Sequence, residues 1–70
     1  MRYFFNISTE DGTVTDLVGV DLPGVEAVRS YGAAQVTELS EARVLAGKAP
    51  LVGWLEVVDD HERGVLRIPL

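Results

Sequence analysis

Cysteine is absent from the 70 residues, so no disulfide can brace the fold and no thiolate can act as nucleophile or metal ligand. Basic residues are scarce: six Lys and Arg stand against eleven Asp and Glu, a formal charge of −5. The six form no run. Such a surface repels phosphate backbones, so direct nucleic-acid binding is not expected. Long apolar runs are missing too. Nothing approaches the ~20 residues of a membrane helix, and Tyr3–Phe5 gives way to Asn6 too soon for a signal-peptide core. A cytoplasmic chain without membrane attachment is the expectation, and its acidic surface would suit a partner protein with a basic face.

Chemistry-bearing patterns are equally sparse. The glycines make neither a G-x-x-x-x-G-K-[ST] nor a G-x-G-x-x-G loop. Ser8, Ser30 and Ser40 sit in no nucleophile-elbow context. Glu10 and Asp11 fall in a turn, and Glu38 and Glu41 on a helix surface, where nothing desolvates them. The one cluster resembling a site is Asp59-Asp60-His61-Glu62, whose carboxylates and imidazole suggest a divalent metal or small ligand. Consecutive turn residues diverge, however, and turns favour Asp for backbone reasons alone. The residues therefore point away from an enzyme, with no catalytic residue, metal site or cofactor expected.

What is present is hydrophobic content, 47% of the chain, enough for a globular core and too much for disorder. No linker or repeat interrupts it, so residues 1–70 read as one domain. Residues 2–8 are aromatic and β-branched, a first strand. Asp11-Gly12 supplies the turn, and residues 13–20 return as a second strand, weakened by Asp16 and Gly19. Pro23 in the first helical turn and Glu26 near its positive end start a helix. Val25, Val28, Gly32, Val36, Leu39 and Ala46 form its apolar stripe, and Gly32 within it suggests a close backbone approach. Gly47, Lys48 and Pro50 stop it. Residues 51–58 and 65–70 are two further strands joined around Asp59 to Gly64.

The order is β-β-α-β-β. It predicts a two-layer α+β domain, a four-stranded antiparallel sheet with one long helix on one face. A helix of about 23 residues is ~35 Å long and crosses such a sheet. It covers one side. Successive strand residues point to opposite sides, so if Tyr3, Phe5, Ile7, Leu55 and Val57 meet the helix, Phe4, Trp54 and Val58 face away from it. With Val65 they make an apolar patch large for a monomer. The expectation is a homodimer formed through Phe4, Trp54, Val58 and Val65, and a small interaction or accessory module as the function.

Two resemblances accompany this reading. Arg2–Phe5, Asp11-Gly12, Gly19 before Leu22-Pro23, Glu26-Ala27, Trp54, Val57, Asp59, Gly64, Leu66 and Ile68-Pro69 come in an order that resembles a family of short bacterial proteins of unknown function. The match spans nearly the whole chain and departs from the pattern at Asn6, where Asp is frequent, and at Leu70, where an aromatic is. It implies no activity. Asp21-Leu22-Pro23-Gly24 also resembles a segment of antitoxins with a partial ribonuclease-H-like fold, which implies a basic partner protein as the alternative.

Overall fold

A computed structural model describes residues 1–70 and shows five strands and one helix: β1 (Arg2–Thr9), β2 (Gly12–Val14), β3 (Val20–Asp21), α1 (Val25–Leu45), β4 (Gly53–Asp59) and β5 (Gly64–Pro69). The sheet is antiparallel in the order β2-β1-β4-β5, with β3 also paired to β1. The α+β class read from the sequence is the class observed. The expected second strand is split. Ile7 pairs with Val14 and Tyr3 with Val20, so β1 advances four residues where the edge chain advances six. Residues 15–19 loop out between β2 and β3, and the edge remains one strand wide.

β1 and β4 alternate as their sequences dictate. Tyr3, Phe5, Leu55 and Val57 point to one face and, with Val28, form the buried cluster. Burial of Val28, Leu55 and Val57 is essentially complete, and each such side chain contributes about 1.5–3 kcal/mol of transfer free energy. The Phe5 and Tyr31 rings meet at 4.9 Å between centroids. Only seven of the 70 residues are buried. This is a thin core.

α1 starts two positions later than the sequence suggested. Gly24 is the N-cap and Pro23 lies before it, outside the first turn. The end follows the stop signal. The Gly47 N–H donates to the Val44 carbonyl at 3.0 Å and the Lys48 N–H to that of Arg43 at 2.9 Å, a Schellman arrangement with Gly47 at φ +67°. The Arg43 guanidinium ties the following loop down by donating to the Ala49 carbonyl from Nε at 2.9 Å and from Nη2 at 2.6 Å. No helix is long and apolar enough to cross a membrane.

Gly32 sets where the helix lies. A Cβ there would stand 2.8 Å from Ile68 Cδ1, 3.4 Å from Leu55 Cδ2 and 3.6 Å from Phe5 Cε2. The helix backbone therefore rests over β4, between β1 and β5. Gly53, at the start of β4, has φ +153°, and a Cβ there would run into the Ser8 carbonyl oxygen. A bulge opposite Val57 and Val58 leaves Val65 of β5 without a partner in β4. Pro69 closes β5, an edge strand, where a missing N–H is tolerated.

The nearest obstacle at Gly32 is the tip of a flexible side chain. Gly32→Ala should therefore be close to neutral, because the shift of Ile68 is offset by about 1 kcal/mol of helix propensity. Gly32→Leu has no such room and should lose about 1–3 kcal/mol by overpacking. Urea unfolding monitored by circular dichroism distinguishes the two.

Candidate interaction surfaces

The sheet face away from α1 carries Phe4 opposite Val58, Asn6 opposite Glu56 and Ser8 opposite Trp54. β5 adds Arg67 opposite Glu56 and Pro69 opposite Trp54. Phe4, Trp54 and Val58 thus share the uncovered face, but Val65 leaves that group. As the bulge residue it breaks the alternation, and it packs against the buried cluster under α1. The remaining face is not continuously apolar. The Arg67 Nε lies 3.2 Å from Glu56 Oε2, and its guanidinium carbon is 4.8 Å from the Trp54 ring centroid. This cation–π contact roofs the indole and leaves it 41% exposed. A polar rung of Asn6, Glu56 and Arg67 separates Trp54 from Phe4 and Val58.

A depression of about 310 Å³ lies at the Phe4 end, between the 15–17 loop and the β4–β5 turn. Asp16 builds the loop. Its Oδ2 accepts the Phe5 N–H at 3.1 Å, and its Oδ1 accepts those of Val18 and Gly19 at 3.0 Å each. The Asp16 N–H donates to Asn6 Oδ1 at 2.8 Å. A carboxylate thus fills the place of a strand partner where β2 and β3 part. Burial alone pushes this carboxyl up, but the N–H groups of Gly19, Phe5 and Val18 and the charge of Arg2 hold it below the ordinary range. By its sequence Asp16 merely weakens the second strand; in the fold it closes the loop that splits that strand. The signal for its role was the Asp-x-x-Gly19 spacing of a side-chain-closed turn.

Asp59 builds the opposite rim. Its Oδ1 accepts the His61 and Arg63 N–H groups at 2.8 and 3.0 Å, and its Oδ2 accepts Arg63 Nε at 3.2 Å. These contacts, the Arg63 N–H foremost, outweigh partial desolvation and hold its carboxyl below the usual value. His61 points outward, with Nε2 3.6 Å from Asp60 Oδ1 and both side chains well exposed. The cluster Asp59-Asp60-His61-Glu62 is therefore a turn stabilised by its first residue. No three His, Asp or Glu side chains converge to hold a metal ion.

The third surface lies beside α1 on the helix face of the sheet. Because the helix rests over β4, the β2 side stays uncovered, and a groove of about 630 Å³ runs there. Phe5 and Ile7 form its floor. Tyr31, Gln35, Glu38 and Leu39 of α1 make one wall, and the segment from Val14 to Val20 the other. Periodicity places a helix on a face without fixing its lateral position, so this groove is not legible from the residues alone.

An antiparallel sheet with a single helix laid on one half, and with Asp16 and Asp59 occupied in building loops, defines a small α+β protein. The chain belongs to the family described as Domain of unknown function (DUF6894), whose model matches residues 2–70. That family is uncharacterised, as the resemblance implied. No curated protein and no solved structure matches the chain.

Both aspartates bind protons less readily in the fold than in an unfolded chain. Their stabilisation is fully present above about pH 4, the ordinary carboxylate range, and is lost as pH falls through the lower folded values. The urea midpoint should therefore drop on acidification below pH 4. Asp16→Ala orphans the Phe5 N–H and should cost about 1–3 kcal/mol at neutral pH, with a flatter acid dependence than the parent.

Proposed function

We propose that this chain is a non-enzymatic interaction module that works as a homodimer. The observation that carries the proposal is its surface. The accessible area is 4826 Å², whereas a monomer of 7.6 kDa has about 4,300 Å². The shape agrees: the radius of gyration is 12.1 Å against about 11 Å for a compact chain of this length. Val14, Leu17 and Val18 are 68–86% exposed, and Val44 and Leu45 are 75% and 88% exposed.

The polar groups support the non-enzymatic half of the proposal. A general acid or base needs a free proton site titrating near the working pH. The two carboxyls with displaced affinities, Asp16 and Asp59, are displaced downward, and their oxygens accept loop N–H groups. Association of small chains supplies the stability that a thin core leaves short.

Sedimentation velocity across the micromolar range tests the reading. A species of twice 7.6 kDa, with dissociation on dilution, is the expected result. A clean monomer at every concentration overturns it.

A further inference from the structure

We propose that a pocket under the C-terminal half of α1 binds a small monocarboxylate whose apolar body is a single ring or a short branched chain. The cavity is about 150 Å³ and lies between the second half of the helix, the loop leading into β4 and the residue after β5. Its apolar walls are Val36, Leu39 and Val44 on one side and Leu51 and Leu70 on the other. The position follows from the seat at Gly32. Val28 and Gly32 are the buried residues of α1, and beyond them Val36 and Leu39 are only half-buried. A further void of about 20 Å³ shares Val36, Leu39 and Leu70 with the pocket and reaches Ile7 and Leu55 of the sheet. The two layers are thus incompletely packed here, and what would fill the gap is apolar.

Size narrows the occupant. An apolar cavity of about 150 Å³ accommodates a benzene ring, and it is well below the ~300–1,000 Å³ of pockets that enclose drug-sized ligands. The pocket is complete within one chain, so the proposal does not depend on the homodimer.

Charge narrows it further. Arg2, Arg63 and Arg67 pair with Asp21, Asp59 and Glu56. Arg29, Arg43 and Lys48 belong to no ion pair, and two of these three line this one pocket. No acidic side chain lines it, although acids outnumber bases eleven to six along the chain. Arg43 Nε and Nη2 donate to the Ala49 carbonyl, which holds the guanidinium in place and leaves Nη1 free. Cations near a helix C-terminus offset its dipole. Here, however, the carbonyls of Ala42, Arg43 and Val44 already accept the N–H groups of Ala46, Lys48 and Gly47. A carboxylate suits the donors that remain. It accepts charge-assisted hydrogen bonds from guanidinium and ammonium, and the Ser40 hydroxyl at the pocket supplies another donor. Lys48 and Ser40 are exposed, so the charged head stays at the wet rim while the ring enters the cavity, and no charge is buried unpaired.

Amide-resolved NMR of the whole chain titrated with benzoate tests the assignment. Saturable shifts at the amides of Ser40, Val44, Leu51 and Leu70, with a Kd of about 1 mM or tighter, are the expected result. Benzamide keeps the ring and loses the charge, and acetate keeps the charge and loses the ring. Each should bind at least about tenfold more weakly than benzoate. Lys48→Met, at an exposed position, should weaken benzoate about threefold and leave benzamide unchanged. No saturable shift by about 20 mM benzoate, or shifts centred on Arg29 or another basic residue away from the pocket, overturns the site. Benzamide binding as tightly as benzoate overturns the carboxylate, and so does an unchanged benzoate affinity in Lys48→Met. Should that variant misfold, the comparison of benzoate with benzamide on the parent chain decides.

Discussion

The approach of α1 to the sheet at Gly32 is the contact on which the rest of the structure depends. With no side chain in the way, the helix backbone settles onto Ile68, Leu55 and Phe5, and Val28 one turn earlier is sealed from water. This single seat holds the two layers together. It also fixes the helix over β4, which leaves the β2 side of the same face open. One small residue therefore accounts both for the little core there is and for the largest concavity.

Much of this architecture was legible because it follows from alternation. β1 and β4 each have one buried face, so a period of two assigns Tyr3, Phe5, Leu55 and Val57 without knowledge of any partner strand. Gly32 was legible for a related reason. A glycine costs helix stability, and its place in the apolar stripe pointed to close packing. The misplaced residues are those decided by cross-strand detail. Val65 changed sides because a bulge shifts the alternation by one. The cover over Trp54 requires Arg67 to stand beside it across the sheet, which depends on register. The break after Val14 depends on one carboxylate reaching a backbone N–H eleven residues away.

The charge of the chain is partly architectural. Asp16 and Asp59 each gather several N–H groups and so replace backbone pairing where the chain turns too sharply for a ladder. A sequence scan registers them as acids, and Asp59 further as part of a ligand-like cluster with His61. Their geometry is that of turn closure.

The carboxylate that occupies the β1 edge has a consequence for the chain's behaviour in a crowded solution. A sheet grows by adding strands at its margins, and unpaired N–H groups along an edge are the usual template for runaway polymerisation. Here Asp16 occupies the Phe5 N–H on one margin, and Pro69 removes a donor from the other. A thinly packed protein that exposes this much apolar surface is a natural candidate for fibril formation. At these two points the sheet offers no donor to an incoming strand.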